Sequence, residues 1–308
     1  MIRVLFAAGA ERWDAWRGPL ERAFDARGLK VDLAKDHPAT ETDIIVYAPG
    51  APLQDFAPYT NAKAVLNIWA GVEGVVGNPT LTQPFARMVD PGLTQGMVDY
   101  CVGHVLRHHL GLDAQLATQD RWAPVVPPLA SDRPVTVLGL GALGSTVAGA
   151  LAGLGFPVTG WARSEKRIDG VRCLAGSDTL DQALSDAQIL VLLLPLTAET
   201  ADLMDARHLA LLPKGAVVIN PGRGGLIVDA DLLEGLDTGH IAHATLDTFR
   251  TEPLPDAHPF WAHPRVTITP HIASETRPET AASVIAENTE RATAGQPLLH
   301  EVDKSAGY

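Results

Sequence analysis

The sequence predicts an α/β fold with parallel sheets, and three observations support this prediction. Short apolar runs alternate with longer amphipathic stretches along the chain, which is typical of strands joined by crossover helices. The run at 189–194 is apolar throughout, as in a strand that a parallel sheet buries on both faces. The length of 308 residues corresponds to two domains at about 150 residues each.

The first third of the chain contains strand-like runs and two helix-like stretches. The stretch WDAWRGPLERAFDARG has apolar residues at helical spacing and ends in Gly28, a residue that often stops a helix. A single long helix is expected over 94–122. Its helical stripe consists of Met97, Cys101, Val105, His108 and Leu112. The predicted strands are IRVLFAA, LKVDLA, DIIVYAP and AVLNIWA.

A Pro-rich turn, VVPPLASDRP, leads into a second predicted sheet. Its strand candidates are VTVLGL, PVTGWA, ILVLLLP, AVVINPG, IAHATLDT and VTITPH, with helix-like stretches between them. Near the end of the chain, RPETAASVIAENTERATAG again has the pattern of a helix.

Composition and charge exclude several classes of protein. Hydrophobic residues make up 46% of the chain and charged residues 19%, which favours a globular protein over a disordered one. The net charge of −12 disfavours partners such as nucleic acid or an anionic membrane, because both require positive charge on the protein. No apolar window is long enough to span a bilayer.

The expected compartment is the cytoplasm. The apolar run Val4 to Ala10 is short for a signal peptide and leads directly into charged residues. The two cysteines, Cys101 and Cys173, are too few for a disulfide framework or a cysteine-rich metal site, which favours a reducing environment.

A glycine-rich loop predicts a dinucleotide site. Gly139, Gly141 and Gly144 form G-x-G-x-x-G between a predicted strand and a predicted helix that opens with Ala142 and Leu143. The three glycines would permit the tight turn, the approach of a pyrophosphate and the packing of helix on strand, and N–H groups at the helix start would bind phosphate. The alternative is a glycine-rich turn with no ligand.

The next strand favours NADP(H) over NAD(H), although NAD(H) stays open as an alternative. In an NAD site an acidic residue near the end of this strand binds the ribose 2′-hydroxyl, and that position falls at about Ala162. The residues that follow include Arg163, Ser164 and Lys166, which are suited to a 2′-phosphate. The alternative is a solvated basic turn, which Glu165 favours slightly.

Three polar residues follow predicted strands of the second sheet. Arg223 lies in NPGRGG, Glu252 in TEPLP and His271 in TPHIAS. The carboxyl ends of parallel strands form the ligand-binding edge of such a sheet. A histidine can give a proton to the oxygen of a 2-oxo acid, a carboxylate stabilises its charged form, and an arginine can bind the substrate carboxylate and polarise the carbonyl. Singly, each residue also has an ordinary structural explanation.

Several long motifs make the chain resemble the D-isomer-specific 2-hydroxyacid dehydrogenases. The resemblance covers most of the chain and is densest from about residue 97 onward. It implies that Arg223 binds the 2-oxo acid, that His271 is the acid/base and that Glu252 is its carboxylate partner. The matching stretches are LGLGALGSTVA, GFPVTGWARS, LLLPLTAET, INPGRGGLIVDADLLEGLDTGHI, TEPLPDAHPFWAHPRVTITPHIASETRP and DKSAGY.

The resemblance implies two Rossmann-like or flavodoxin-like domains, of which the substrate domain is discontinuous. Residues 1–98 and 276–308 would form the substrate domain, and 99–275 the NADP-binding Rossmann domain. In the family the long helix over 95–120 joins the domains and forms part of a dimer interface, so a homodimer is expected.

Further site residues are implied by the resemblance alone. NIWAGVEGV resembles the family's substrate-carboxylate loop, in which N–H groups at Ala70 and Gly71 would hold the carboxylate and Trp69 would line the pocket. The chain departs from the family at Pro221, where a small or apolar residue is usual and proline removes a backbone donor. The residues expected near the cofactor are Met97, Leu194, Pro195, Pro221, Gly222, Asp247 and Ser274.

Two function classes remain open on the sequence alone. The first is an NADPH-dependent reductase of a small 2-oxo acid such as glyoxylate or hydroxypyruvate, with Arg223, Glu252 and His271 in the site. The second is a non-catalytic dinucleotide-sensing corepressor on the same fold. No metal is expected, because the histidine pairs lack the pattern of a zinc motif and are interpreted as helix-surface or interface residues. These pairs are His104 with His108 and His240 with His243.

Overall fold

The computed structural model describes residues 1–307 and contains twelve strands and eight α-helices over that range. The strands are β1 Ile2–Ala7, β2 Val31–Ala34, β3 Ile44–Tyr47, β4 Ala64–Asn67, β5 Phe85–Ala86, β6 Val135–Leu138, β7 Val158–Ala162, β8 Val171–Ala175, β9 Ile189–Leu192, β10 Ala216–Asn220, β11 Ile241–Leu246 and β12 Val266–Ile268. The helices are α1 Trp13–Ala26, α2 Pro91–Leu110, α3 Leu112–Leu116, α4 Ala142–Gly153, α5 Leu180–Ser185, α6 Ala206–Leu211, α7 Asp229–Asp237 and α8 Pro278–Thr293.

The chain divides into two compact units, each built on a parallel sheet. The first unit comprises Met1–Leu93 and the chain from Glu275 onward, with strand order β2-β1-β3-β4-β5. The second unit is Thr94–Ser274, with strand order β12-β11-β10-β9-β6-β7-β8. All strand pairs in both sheets are parallel, so the predicted α/β class with two parallel sheets is confirmed.

In the first unit, β3 and β4 are buried along their whole length. Helix α1 packs against α8, and Arg27 bridges the two helices through ion pairs to Glu287 and Glu290 at 2.7 and 2.6 Å. The end of the chain covers the edge strand β5. Val302 donates its N–H to the carbonyl of Phe85 at 2.8 Å. This pairing hides an edge that would otherwise present unpaired backbone groups.

In the second unit, strand order reverses between β6 and β9. The chain adds β7 and β8 on one side of β6, and then returns to build β9 to β12 on the other side. In open α/β sheets ligands bind beyond the carboxyl ends of the strands at such a reversal. The four residues of β9, Ile189–Leu192, are all buried, as the apolar run predicted. Apolar clusters pack on both faces of the sheet.

The prediction of one helix over 94–122 was wrong at its C-terminal end. Helix α2 ends at Leu110, and Gly111 adopts a left-handed conformation with φ of 64° before the short α3. Glycine adopts this conformation without the steric penalty of a side chain, so the chain turns there. Within residues 1–307, none of the helices is long and apolar enough to cross a membrane.

Candidate functional site

The glycine loop follows β6 at the strand reversal, and its three glycines occupy three different environments. A Cβ on Gly139, where φ is +105°, would lie 2.5 Å from the carbonyl oxygen of Leu193. A Cβ on Gly144 would lie 1.8 Å from the carbonyl oxygen of Gly139. A Cβ on Gly141 would meet no atom within 4 Å. The backbone therefore requires glycine at 139, in the turn, and at 144, where the helix packs on the strand. Gly141, in the middle, faces open space.

This loop fits the pyrophosphate of a dinucleotide. Helix α4 begins at Ala142 with Gly141 as its N-cap residue, and both residues are exposed. The first N–H groups of a helix have no partner within the helix and can bind phosphate. Gly141 leaves room for a ligand to approach these donors. Leu143 follows within the first turn of α4 and is half-buried.

The basic turn after β7 lies at the same edge of the sheet. β7 is the neighbour of β6, and the N–H of Gly139 donates to the carbonyl of Trp161 at 2.8 Å. Ala162 ends the strand where an NAD site would carry a carboxylate. Arg163, Ser164 and Lys166 follow, all exposed. The adjacent strand end thus carries cationic and hydroxyl groups in place of an acid, which suits a phosphate better than a bare ribose hydroxyl.

The structure brings His271 and Glu252 together. Nδ1 of His271 lies 2.7 Å from Oε2 of Glu252, and Oε1 of Glu252 accepts a hydrogen bond from the N–H of Phe249 at 2.8 Å. Glu252 follows β11 and His271 follows β12, while Arg223 follows β10, the other neighbour of β11. All three residues therefore lie beyond the carboxyl ends of adjacent strands.

A buried carboxylate holds the backbone that carries His271. Asp247 accepts hydrogen bonds from the hydroxyl of Thr269 at 2.7 Å and from the N–H groups of Ile272 and Ala273 at 2.9 and 3.0 Å. Its own carbonyl accepts the N–H of His271 at 2.8 Å. Asp247 is fully buried, and His271 has a positive φ of 54°. The sequence analysis expected Asp247 near the cofactor, but it did not predict that Asp247 holds the backbone around His271.

The network continues to Tyr100 on α2. The Tyr100 hydroxyl lies 2.7 Å from the Thr269 hydroxyl. Because Thr269 gives its only hydroxyl hydrogen to Asp247, Tyr100 must donate to Thr269. Burial raises the pKa of Tyr100 well above its usual range, so the phenol keeps the hydrogen that this donation requires.

The loop of Arg223 is fixed by close backbone packing. The buried Asn220 donates from Nδ2 to the carbonyl of Arg223 at 2.9 Å and accepts the N–H of Gly222 at 3.1 Å. A Cβ on Gly222 would lie 2.7 Å from the carbonyl oxygen of Leu192, and one on Gly224 would lie 2.0 Å from the backbone of Phe249. Asn220 and Gly224 were not singled out from the sequence, because their partners are distant in the chain or depend on the loop conformation.

The other residues expected near the cofactor are spread around the same unit. Leu194 and Pro195 follow β9, beside the glycine loop, and Leu194 is buried. Pro221 is buried ahead of Gly222. Met97 is buried in the same apolar cluster as Ala273, the residue before Ser274. Gly96 directly precedes Met97 in α2, and a Cβ on Gly96 would lie 2.7 Å from the Ser274 hydroxyl.

In the first unit, Trp69, Ala70 and Gly71 form a loop directly after β4. Trp69 is 38% exposed, and the Arg12 guanidinium lies 5.2 Å from the centre of its ring. Ala70 and Gly71 are half-buried. The loop thus presents small residues and an indole ring at the carboxyl edge of the five-stranded sheet.

Three of the histidines that form pairs in the sequence contact aromatic rings or hydroxyl groups in the structure. His104 packs on Tyr100 with ring centres 4.4 Å apart, and His108 packs on His243 at 5.0 Å. Nε2 of His108 lies 3.0 Å from the Thr245 hydroxyl. Over residues 1–307 the structure contains no group of three or more histidine, cysteine or acidic side chains arranged to hold a metal ion.

Comparison with known proteins establishes the family. The family model described as D-isomer specific 2-hydroxyacid dehydrogenase, NAD binding domain, matches residues 101–273, more than half of the chain. The chain belongs to the D-isomer-specific 2-hydroxyacid dehydrogenase family. This dehydrogenase is 39% identical to Glyoxylate/hydroxypyruvate reductase A of Serratia proteamaculans, over 97% of this chain and 96% of that protein. It is 38% identical to the protein of the same name from Yersinia enterocolitica, over 86% of this chain and 87% of that protein.

Solved structures agree with this family. The D-isomer specific 2-hydroxyacid dehydrogenase of Xanthobacter autotrophicus, in complex with NADPH and MES, superposes with a TM-score of 0.93 at 39% identity, covering 100% of this chain and 99% of that one. The NADPH-dependent glyoxylate/hydroxypyruvate reductase of Sinorhizobium meliloti, in complex with NADP and sulfate, gives 0.85 at 34% identity, covering 100% and 99%. The protein is therefore an oxidoreductase, and the resemblance seen in the sequence is confirmed.

Proposed function

We propose that the protein is an NADPH-dependent reductase of small 2-oxo acids, with glyoxylate and hydroxypyruvate as substrates. The observation that carries this proposal is the 2.7 Å contact between His271 and Glu252, which lies in the same unit as the open glycine loop. The names of the relatives from Serratia proteamaculans and Sinorhizobium meliloti support the substrate class.

His271 is the proton donor in this proposal. Its Nδ1 is engaged by Glu252, so Nε2 is the ring atom left to give a proton to the carbonyl oxygen of the substrate. The Glu252 carboxylate engages Nδ1 and so fixes the orientation of the ring. Asp247 adds to this orientation because it holds the backbone on both sides of His271.

Arg223 binds the 2-oxo acid in this proposal. A guanidinium offers a planar fork of donors that can hold a carboxylate and polarise the adjacent carbonyl. Asn220 holds the Arg223 carbonyl, and Gly224 allows close packing against Phe249, so the backbone that bears the guanidinium is fixed. In the first unit, the N–H groups of Ala70 and Gly71 would bind the substrate carboxylate, with Trp69 beside them.

The second unit would hold NADP(H), as bound in the solved relatives from Xanthobacter autotrophicus and Sinorhizobium meliloti. When bound, the cofactor supplies the hydride. The glycine loop would bind the pyrophosphate through Gly139, Gly141, Ala142, Leu143 and Gly144. The basic turn would bind the 2′-phosphate through Arg163, Ser164 and Lys166. The residues that would flank the rest of the cofactor are Met97, Leu194, Pro195, Pro221, Gly222, Asp247 and Ser274. The proposed domain roles are cofactor binding for 99–275, with Met97 just ahead of this range, and substrate binding for 1–98 with 276–308, to which Arg223 contributes from the cofactor domain.

Turnover with both nicotinamide cofactors tests the proposal. We expect absorbance loss from NADPH with glyoxylate and hydroxypyruvate, and a kcat/KM at least about tenfold higher with NADPH than with NADH, because each charge-assisted hydrogen bond to a 2′-phosphate contributes roughly 1.5–3 kcal/mol. Removing the side chains of Arg163 and Lys166 together should abolish this preference without lowering kcat/KM for NADH. Arg172→Ala, in the edge strand β8, is the matched control and should keep the preference.

Two results would contradict the proposed reductase activity and its preference for NADPH. Absence of turnover on glyoxylate, hydroxypyruvate, pyruvate and phenylpyruvate would refute the reductase, and a preference for NADH would refute the role of the basic turn.

We further propose a homodimer, supported by an exposed apolar segment in the second unit. Trp122 is 96% exposed and Val126 is 89% exposed, which is unusual for large apolar side chains unless another surface covers them. The exposed apolar residues of this segment are Leu110, Leu112, Leu116, Trp122, Val125, Val126 and Leu129.

Sedimentation should show a dimer for the native chain and a monomer for the Leu116→Ser, Trp122→Ser double variant. Trp261→Ser, outside this segment, should stay dimeric; a dimeric double variant would contradict this interface.

A cytoplasmic, reducing location is part of the proposal. Within residues 1–307 both Cys101 and Cys173 are free thiols, and Cys101 is buried. Proteins of oxidising compartments more often use their cysteines in disulfides.

A further inference from the structure

The loop after β4 carries two adjacent backbone donors without partners. Asn67, which is buried at the end of β4, donates from Nδ2 to the carbonyl of Gly71 at 2.9 Å and accepts the N–H of Trp69 at 3.2 Å. The carbonyl of Trp69 accepts the N–H of Met88 at 2.9 Å. Over residues 1–307, the N–H groups of Ala70 and Gly71 donate no hydrogen bond. Half-buried donors of this kind need a partner, and one anion can serve both.

Arg87 lies next to this loop. It follows β5, its N–H donates to the carbonyl of His300 at 3.1 Å, and the next residue, Met88, bonds to Trp69. The side chain is half-buried, and in the described part of the chain its guanidinium makes no hydrogen bond and no ion pair. Burial lowers the pKa of Arg87, and this effect outweighs the opposing influence of the Glu73 carboxylate. A cation held partly out of water without a hydrogen-bonded partner reduces stability, and a bound anion would offset this cost.

The other arginine at this loop is already neutralised. Arg12, whose guanidinium lies over the Trp69 ring, donates to the carbonyl of Ala8 at 2.9 Å and forms an ion pair with Glu11. The positive charge of Arg12 is therefore offset within its own loop. Of these two arginines, Arg87 is the one whose guanidinium makes no hydrogen bond or ion pair over residues 1–307.

We propose that Arg87 supplies the positive charge of the substrate-carboxylate site formed by the N–H groups of Ala70 and Gly71. The inference rests on the proposed function and adds a specificity residue to it. The N–H groups give direction to the bound carboxylate, and the guanidinium favours an anion over a neutral group at the same place. These two roles predict that Arg87 affects substrate binding, whereas the proton transfer by His271 does not depend on Arg87.

Steady-state kinetics of Arg87→Met tests this inference. The variant keeps an unbranched apolar side chain and removes the guanidinium, so KM for glyoxylate should rise about tenfold to a hundredfold, the range expected for one hydrogen bond to a charged group. We expect kcat and KM for NADPH to stay within about twofold, since the guanidinium has no part in the chemical step. Arg87→Lys should restore most of the affinity. Arg27→Met is the control, because Arg27 lies in the same unit but is paired with Glu287 and Glu290.

Binding of oxalate provides a readout that does not depend on turnover. Calorimetry of the complex with NADPH should show oxalate binding to the native enzyme, weaker binding to Arg87→Met and native binding to Arg27→Met. An unchanged KM and oxalate affinity in Arg87→Met, or a loss of kcat alone, would overturn the inference. If Arg87→Met does not fold, Arg87→Gln and Arg87→Lys carry the same comparison, and equal affinities in these two would also overturn it. Oxalate binding that depends on Arg87 in an enzyme that reduces no 2-oxo acid would support the anion site and refute the proposed function.

Discussion

Replacement of His271 by alanine is expected to lower kcat with glyoxylate at least about a hundredfold, in line with the loss of a general acid. The structure orients His271, at the carboxyl edge of the second unit, through both a carboxylate and a fixed backbone. Its ring is held by Glu252 at 2.7 Å, and its N–H is held by the carbonyl of Asp247 at 2.8 Å. Steady-state kinetics with NADPH would measure the loss, and a fluorescence titration would show that NADPH still binds.

Two variants make this result specific. Glu252→Gln keeps a hydrogen-bonding side chain but removes the carboxylate that orients the His271 ring through Nδ1, so a smaller loss of kcat is expected. His37→Ala removes a histidine of the first unit that bonds to the carbonyl of Asp32, and it should leave kcat unchanged. Near-normal turnover of His271→Ala would remove this residue from its proposed role.

The parts of the fold that sequence reasoning predicted are those whose pattern is local. The run at 189–194 contains enough buried apolar residues in succession to identify a central strand, and the structure buries all of β9. The two residues of β5 have no such pattern, and their place depends on pairing with β4 and with the distant Val302. The end of α2 depends on one glycine. The apolar stripe continues past Gly111, but the helical backbone is interrupted there by the left-handed conformation of this residue.

The candidate site shows the same division. Arg223, Glu252 and His271 were predicted as site residues because each has a reactive side chain at or shortly after the end of a predicted strand. The groups that hold these residues in place were not predicted. The role of a buried carboxylate or of a glycine without a Cβ can be recognised only once its spatial neighbours are known. Gly224 is required by the backbone of Phe249, and Asp247 by the N–H groups beyond His271. These contacts join segments that the sequence separates by about two dozen residues, so no local pattern records them.

The second large effect is expected in the glycine loop, where two alanine substitutions three residues apart should have opposite consequences. Gly144→Ala places a methyl group 1.8 Å from the carbonyl oxygen of Gly139, and neither backbone can move without separating α4 from β6. Such overpacking should destabilise the second unit by about 3 kcal/mol, near the upper end of the usual range. For a unit of this size the melting temperature should fall by about 6–12 °C.

Gly141→Ala should leave the fold intact and weaken the cofactor instead. Gly141 has φ of −72° and ψ of −168°, an extended conformation that alanine adopts readily, and a Cβ there meets no atom within 4 Å. The methyl group would occupy the space that the pyrophosphate needs, so Kd for NADPH should rise at least about tenfold while the melting temperature of the free protein stays within about 1 °C. Thermal melts without ligand and NADPH titrations of both variants separate the two effects. Native affinity in Gly141→Ala would place the pyrophosphate elsewhere, and a native melting temperature in Gly144→Ala would show that the contact with Gly139 can relax.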